Sequence, residues 1–305
     1  MTELRYRLEA ALFAVLVQAA RFLPRRLLLG LGSVTGDLGY LFDRRHRRIG
    51  LENLTQAFGD ELAPAERRRV LRDCWRHFGR ITLDTLNFPR FGPADVDTLI
   101  RFEGLEHVRE AYAKKKGVLL FTAHFGHWEL TALMQGYLGF PMALVARPLD
   151  NPYLERMLAR VRGLSGNRIV HKRNAVREML KALQAGIGVA IVIDQDARGS
   201  GVFVPFFGQP ASTTPTLALL ALRTDAPVVP CFCIAERDGT YRAVYGPEVK
   251  VRSTGDRDAD VLRLTAECTA TIERWVRQHP ELWLWMHRRW KTQPPSNGTA
   301  AKNPD

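Results

Sequence analysis

The residues best suited to acid–base chemistry lie in one short stretch, His124–Glu129, which reads HFGHWE. A histidine that donates one ring N–H to a carboxylate has a fixed tautomer, and its other nitrogen becomes a stronger general base. On a continuous helix, residues five apart point roughly 140° away from each other, so His124 and Glu129 would not meet. They can meet if His124 lies in a loop and Glu129 in the first helical turn, with Gly126 permitting the bend. We therefore predict that His124 and Glu129 form a catalytic pair, a general base and its carboxylate partner.

Two other interpretations of this stretch are open. A histidine at the end of a strand is often only a hydrogen-bonded polar group of the structure. His124, His127 and Glu129 could also be ligands of a metal ion, but the chain has no second group of His or Cys residues with zinc-type spacing. We therefore predict no metal site and no cofactor.

The elements that would position this stretch are those of an α/β sheet. The apolar run Val118–Phe121 is typical of a buried strand of a parallel sheet, and Leu130–Tyr137 has the pattern of a helix. His124 would then lie where a strand ends and a helix begins. In open α/β sheets this crevice at the carboxyl ends of the strands is where ligands bind.

Charged residues follow three further predicted strands at their carboxyl ends. These strands are Met142–Ala146, Arg168–Val170 and Gly188–Ile193. The two acids after the last strand could bind a metal ion, but we favour a role in organising loops and in bonding to cations such as Arg147. The predicted substrate-binding residues are Arg147, Lys172, Arg173, Asp194 and Asp196.

The rest of the pattern predicts a mixed, mostly parallel sheet flanked by helices, with a hairpin near the end. Val228–Ala235 and Tyr241–Tyr245 are predicted to pair across a turn at Asp238-Gly239. Pro230 within the first of these strands predicts an edge position or a bulge. The segment 201–213 is predicted to be an apolar loop.

The N-terminal part of the chain contains an apolar run, Ala10–Ala20. It is shorter than the roughly 20 residues that a membrane-spanning helix needs, and it lacks a convincing signal-peptide cleavage site. We predict a membrane-anchoring helix that lies along the bilayer interface, with a tilted span and an ordinary core helix as alternatives. We divide the chain into this anchor (1–42), an α/β domain (43–291) and a disordered tail (292–305).

The chain is strongly basic. Among its 305 residues are 44 Lys and Arg against 32 Asp and Glu, a net charge of +12. Such a charge suits nucleic acid, an anionic membrane surface, or an acidic or phosphorylated partner. We predict no nucleic-acid partner, because the sequence has no zinc finger, no RNP-type motif and no Lys-rich tail. An arginine cluster beside the predicted anchor is expected to contact lipid head groups: Arg44, Arg45, Arg47 and Arg48.

The cysteines predict a reducing compartment. None of the four belongs to a CxxC pair, and we expect buried, reduced thiols rather than disulfides.

Five strings in the sequence together resemble one known family. They are AHFGHWE, ARP, IDQD, FVPFFGQPAST and WMHRRWK, in this order along the chain. Their order and spacing resemble the late acyltransferases of lipid A biosynthesis, which are the lauroyl and myristoyl transferases within the lysophospholipid acyltransferase superfamily. His127 departs from the string HFGNWE that is usual in that family.

The resemblance implies an O-acyltransferase of lipopolysaccharide biosynthesis on the cytoplasmic face of the inner membrane. The acyl donor would be an acyl carrier protein thioester, and the acceptor a hydroxyl of a phosphorylated glycolipid, a lipid A precursor. His124 would take the proton of that hydroxyl, and Glu129 would orient His124 and stabilise the imidazolium. Arg147 would contact a substrate phosphate. Phe203, Phe206 and Phe207 would be core residues or the lining of an acyl-chain groove.

Several points stay open at this stage. If His127 competes for Glu129, the identity of the base changes. The aromatic and basic segment Trp283–Lys291 suits either a membrane interface or a helix packed on the core. The alternatives for the function are an acyltransferase for another lysolipid or glycolipid acceptor, and a non-catalytic membrane-surface binding protein.

Overall fold

The computed structural model of the chain describes residues 2–20, 22–146, 149–171, 175–236, 238–250 and 253–295. Three of the predicted binding residues, Arg147, Lys172 and Arg173, lie outside these ranges, as does most of the predicted tail. Their predicted roles stay predictions.

The described strands and helices alternate along most of the chain. The strands are β1 (Ile100–Glu103), β2 (Leu119–Thr122), β3 (Met142–Ala146), β4 (Arg168–His171), β5 (Gly188–Val192), β6 (Val202–Phe206), β7 (Gln209–Thr213), β8 (Val228–Ala235) and β9 (Tyr241–Tyr245). The helices are α1 (Thr2–Ala20), α2 (Arg25–Phe42), α3 (Arg44–Phe58), α4 (Pro64–Thr85), α5 (Val96–Leu99), α6 (Leu105–Ala113), α7 (Trp128–Tyr137), α8 (Pro152–Arg162), α9 (Ala175–Gln184), α10 (Thr216–Thr224) and α11 (Arg257–Gln278).

One sheet organises these elements. Its strand order is β1-β9-β8-β2-β5-β3-β4. Neighbouring strands pair in parallel, except for the antiparallel hairpin β8–β9 that was predicted across Asp238-Gly239. The prediction of a mixed, mostly parallel sheet flanked by helices is therefore confirmed.

The side chains around β2 alternate between two apolar cores, one on each face of the sheet. Leu119 and Phe121 pack with residues of α9, α10 and α11, whereas Val118 and Leu120 pack with residues of α6 and α7. Burial on both faces explains why this run is continuously apolar. The four cysteines are buried and free, as predicted.

Helices α2 and α4 cross with their backbones in direct contact, because glycines line the crossing. A Cβ on Gly36 would lie 2.3 Å from the carbonyl oxygen of Trp75, and a Cβ on Gly79 would lie 2.0 Å from that of Gly32. Residues 25–42 are therefore packed against α4. The predicted division of the chain at residues 42 and 291 stays a prediction.

The outward faces of α1 and α2 expose large apolar side chains at helical spacing. Each is at least 43% exposed: Leu4, Leu8, Leu12, Val15, Leu16, Leu27, Leu31, Val34, Leu38 and Leu41. Over the described residues, none of the helices has the combination of length and apolarity required to cross a bilayer.

Residues 201–213 form a hairpin, so the prediction of a loop is wrong. Strands β6 and β7 pair antiparallel, and Phe207 and Gly208 between them have φ of +52° and +69°. Positive φ at both positions is the geometry of a type I′ turn, which is unusual with phenylalanine in first place. Phe206 and Phe207 are buried core residues, so they do not line a groove.

Pro230 lies inside the sheet, so the prediction of an edge or a bulge is also wrong. It is the last residue of β8 paired with β2, and Cys231 is the first paired with β9. The proline, which has no N–H to donate, thus lies at the end of the β2 register, and its carbonyl oxygen accepts from Gly246 N at 3.0 Å.

The C-terminal segment Trp283–Lys291 packs on the core without forming a regular helix. Trp283, Trp285 and Trp290 are all at most 5% exposed, so these side chains do not face a membrane. Asn53 of α3 holds the segment by donating to the carbonyl oxygens of Trp285 (2.7 Å) and His287 (2.6 Å).

Candidate active site

His124 lies in a tight turn between β2 and α7. The bend is made at Gly126, whose φ is +56° and whose added Cβ would lie 1.6 Å from the carbonyl oxygen of Cys233. Backbone hydrogen bonds tie the turn to its surroundings: Gly126 N donates to Leu282 O, His127 N to Cys233 O, and Leu284 N to His124 O. The predicted strand end, glycine bend and helix start are confirmed.

The hydrogen-bond partner of His124 is Asp194, which follows the neighbouring strand β5. The Nδ1 atom of His124 lies 2.8 Å from Asp194 Oδ1, and the backbone N–H of His124 donates to Oδ2 at 2.9 Å. The indole N–H of Trp283 donates to the same Oδ2 at 2.7 Å. Because the carboxylate accepts from Nδ1–H, Nε2 carries the lone pair of the imidazole.

The surroundings shift the pKa values of both groups. Burial alone would lower the pKa of His124, but the charge and hydrogen bond of Asp194, and the charge of Glu129, outweigh burial and raise it. Burial alone would raise the pKa of Asp194, but the charge and hydrogen bonds of His124 and the bond from Trp283 lower it. The site therefore stabilises an imidazolium beside a carboxylate, which is what a general base needs once it has taken a proton.

Glu129 lies in the first turn of α7, as expected, but it does not bond to His124. Its carboxylate accepts from Nε of Arg162 at 2.9 Å and from Nη2 of the same guanidinium. The predicted hydrogen bond between His124 and Glu129 is therefore wrong, because Asp194 occupies Nδ1 and α8 brings Arg162 to Glu129. The indole of Trp128 covers the imidazole, with ring centroids 5.2 Å apart.

His127 does not compete for the role of base. It is 1% exposed, its Nδ1 accepts from the backbone of Leu130, and its ring stacks on Phe88. Burial lowers its pKa to about 3, so it is neutral at physiological pH. Its Nε2 lies 3.9 Å from the carboxylate of Asp84.

Asp84 is a fully buried carboxylate on α4, and no motif around it marks it as a candidate residue. It accepts two hydrogen bonds from Arg25, both at 2.8 Å, and one from the hydroxyl of Tyr241 at 2.7 Å. Burial alone would raise the pKa of Asp84. The hydrogen bonds and positive charge of Arg25, together with the hydroxyl of Tyr241, lower the pKa instead. Through the approach of His127 to Asp84, this cluster connects the start of α2 to the turn that carries His124.

The loop after β5 brings two further residues to the site. Asp196 is held by Thr292, whose hydroxyl donates to it at 3.0 Å, and its predicted role in binding substrate stays a prediction. Gln195, which the sequence analysis did not select, places its side-chain amide 3.4 Å from Nε2 of His124. Arg289 is buried below this loop and donates to the carbonyl oxygen of Ser212 at 2.6 Å.

Across the residues that the structure covers, no three His, Cys, Asp or Glu side chains are grouped to hold a metal ion.

Two openings lie near the turn that carries His124, one beside Gln195 and one beside Trp128. A groove of about 1110 Å³ lies between α9 and α10 and shares Gln195 with the site. An apolar pocket of about 250 Å³ lies beside Trp128 and Glu129, with Phe13 of α1 in its wall. Gln195 and Trp128, which border these two openings, both contact the imidazole of His124.

Comparison with known proteins gives a match over almost the whole chain. Residues 2–292 match the family described as bacterial lipid A biosynthesis acyltransferase. The chain is 30% identical to the lipid A biosynthesis lauroyltransferase of Escherichia coli (strain K12), over 89% of this chain and 88% of that protein. It is 29% identical to the palmitoleoyltransferase of the same organism, over 89% and 87%. It is 27% identical to the phosphatidylinositol mannoside acyltransferase of Mycobacterium tuberculosis (strain CDC 1551 / Oshkosh), over 71% and 66%.

Proposed function

The chain belongs to the bacterial lipid A biosynthesis acyltransferase family, and from this we propose the reaction in detail. The protein transfers a fatty acyl chain from an acyl carrier protein thioester to a hydroxyl of a phosphorylated lipid A precursor. The observation that carries the proposal is the hydrogen bond from His124 to the buried Asp194. It leaves the lone pair of Nε2 on the side of the ring away from Asp194, next to the amide of Gln195 at 3.4 Å, which a substrate hydroxyl would displace.

The reaction follows from that arrangement. His124 Nε2 takes the proton of the acceptor hydroxyl while the hydroxyl oxygen forms a bond to the thioester carbonyl carbon. The carbon–sulfur bond then breaks, and the thiolate receives the proton from the imidazolium. General base catalysis of this kind contributes typically ~10²–10⁴-fold. The side chain of His124 is 21% exposed, so the acceptor can reach it directly.

Glu129 keeps a supporting role in this scheme. Its charge raises the pKa of His124 without a hydrogen bond between the two, and it helps to stabilise the imidazolium. Arg162 holds the carboxylate in place. We therefore propose that Asp194 is the positioning residue of the base and that Glu129 contributes through its charge.

The acceptor is a lipid, and the exposed apolar faces of α1 and α2 support a location at a membrane surface. We propose that these faces lie on the cytoplasmic side of the inner membrane. Arg44, Arg45 and Arg48 are exposed at the start of α3, next to this apolar surface. Arg47 differs, because it donates to the carbonyl oxygens of Tyr40 and Leu41 at the end of α2. The first three are our candidates for contact with head groups.

A transfer assay tests the proposal. Purified protein in detergent is given acyl carrier protein and coenzyme A thioesters with a phosphorylated lipid A precursor. We expect product with the carrier protein donor, and a loss of at least ~10²-fold in the His124→Ala variant. His107→Ala, on α6 at a distance from the site, is the matched control. Unchanged activity in His124→Ala would show that the turn is only structural.

The acceptor is tested separately. The name of the mycobacterial relative indicates a glycolipid other than lipid A, so a phosphatidylinositol mannoside is offered in parallel. Preference for that acceptor would retain the chemistry and replace the proposed substrate.

A further inference from the structure

The groove between α9 and α10 has no part in the chemistry described above. Its floor is formed by the ends of β3 and β5, including Val145, Ile191 and Ile193. Resting on the proposed function, we propose that this groove is the donor site. The acyl thioester arm lies in the groove, and the acidic carrier protein docks on the cations at its rim.

The first argument is the position of the groove. Gln195 lines it, and the amide of Gln195 lies 3.4 Å from Nε2 of His124. Reacting atoms must approach to ~3–3.5 Å before a bond forms, so the carbonyl of the donor must lie near this amide. A thioester in the groove meets that requirement, and the Gln195 amide is then able to donate to the carbonyl oxygen.

The second argument is the shape and lining of the groove. It is lined from Ala175 to Gln184, the full length of the ten-residue helix α9. Ten helical residues span about 15 Å, which suits an extended chain rather than a compact ligand. Met179, Leu180 and the half-exposed Val176 give this helix an apolar wall.

The third argument is charge. Arg177, Lys181 and Arg223 are exposed on the groove, and within the described ranges neither arginine has a carboxylate partner. Lys181 forms only an exposed pair with Glu178, at 3.0 Å. Asp196 also lines the groove and keeps its charge beside Thr292, so three cations stand against two carboxylates, Asp196 and Glu178. The rim therefore presents net positive charge, which attracts an acidic protein and orients it.

The fourth argument is the position of the lipid-facing helices. Phe13 of α1 forms a wall of the other opening, beside Trp128 and Glu129. The exposed apolar faces belong to α1 and α2, whereas α9 and α10 cover the opposite face of the sheet from α7. A lipid acceptor enters from the α1 side, which leaves the cationic groove for the water-soluble donor.

The test separates the protein part of the donor from its acyl arm. The double variant Arg177→Glu/Lys181→Glu is compared with wild type for lauroyl acyl carrier protein and for lauroyl-pantetheine, which has no carrier protein. The KM for lauroyl acyl carrier protein divided by the KM for lauroyl-pantetheine should be at least tenfold higher in the variant than in wild type. The KM for the lipid acceptor should be unchanged. Arg90→Glu/Arg109→Glu, two exposed arginines away from the groove, is the matched control. An unchanged ratio would overturn the docking surface.

A second variant tests the groove itself. Val176→Trp fills the groove from an exposed position, so the fold is not at risk. We expect the KM of both donors to rise and that of the acceptor to stay constant. A rise in the acceptor KM alone would assign the groove to the acceptor and overturn the proposal.

A binding measurement keeps this proposal independent of the identity of the acceptor. Fluorescence anisotropy with labelled holo acyl carrier protein, without any lipid, compares wild type and Arg177→Glu/Lys181→Glu. Binding that weakens at least tenfold in the variant supports the donor site even if transfer to lipid A is not observed. Equal binding, or none to wild type, contradicts it.

Discussion

Replacing Asp194 with asparagine removes the charge beside His124 and keeps the size of the side chain. In the native site, Oδ2 accepts from two N–H groups, those of His124 N and Trp283 Nε1, and Oδ1 accepts from one. An asparagine has a single acceptor oxygen, and two donors outweigh one. The amide oxygen therefore takes the position of Oδ2 and turns its NH₂ group toward Nδ1.

The consequence is the wrong tautomer of His124. Nδ1 must then accept, so the ring proton moves to Nε2, the atom that has to receive the proton of the substrate. We expect kcat to fall by ~10³–10⁴-fold, the size of effect known for the wrong tautomer in a carboxylate–histidine pair. At 1.36 kcal/mol per factor of ten, this is about 4–5.5 kcal/mol of lost transition-state stabilisation.

The pH profile gives a second readout. Asp194 raises the pKa of His124, and the base acts only when it is unprotonated, so wild-type activity is lost as pH falls through that raised value. Without the charge, burial lowers the pKa of His124, and the acidic limb of kcat/KM moves to lower pH.

The assay is a steady-state transfer measurement over about pH 5 to 9, where histidine titrates. The matched control is Asp260→Asn. Asp260 is equally buried and accepts from Thr254 N at 2.9 Å, but it lies on α11, outside the site. A fall in kcat of less than ~10-fold, with an unmoved acidic limb, would refute the role of Asp194, since base catalysis contributes more than this.

Three further substitutions test other parts of the structure. Glu129→Gln should lower kcat by about tenfold, less than Asp194→Asn, because the charge acts on His124 without a hydrogen bond; the acidic limb of the pH profile should again move to lower pH. Arg25→Met leaves Asp84 buried without its cation and should cost roughly 3–5 kcal/mol of unfolding free energy in urea at pH 7. The folded state lowers the pKa of Asp84, so this loss should shrink as pH falls below its ordinary range near 4, and a constant loss would contradict the pairing. Gly126→Ala forces a Cβ into a carbonyl oxygen and should destabilise the fold by roughly 2–4 kcal/mol with loss of activity; a melting temperature equal to that of wild type would refute this.

The residues next to His124 in the sequence were enough to predict where in the fold His124 lies. The apolar run before His124, the glycine bend and the helix start depend on neighbouring residues, and each lies where it was expected. The strand Met142–Ala146 was predicted to the residue for the same reason. These features can be predicted from the spacing of apolar residues, the residue types that turns require and the usual length of a strand.

The hydrogen-bond partner of His124 was mispredicted because it depends on the order of the strands in the sheet. Asp194 was selected as a charged residue at a strand end, but spacing along the chain cannot show that β5 lies directly beside β2. The pairing brings together residues 70 positions apart. The capture of Glu129 by Arg162 has the same origin, since it requires α8 to pack beside α7. Likewise, nothing in the string around Trp283 distinguishes a membrane interface from a core.

The contact from Trp283 to Asp194 also has a consequence for how the protein matures. The indole N–H on the carboxylate and the bond from Leu284 N to His124 O come from a segment that follows every described strand and α11 in the sequence. A nascent chain that has produced β2, β5 and α11 still has an incomplete His124–Asp194 pair, because two of the donors that fix it are not yet present. His124 and Asp194 therefore gain their full set of hydrogen bonds only once residue 284 is in place. A chain that ends before residue 283 contains all the described strands but lacks both of these donors to the His124–Asp194 pair.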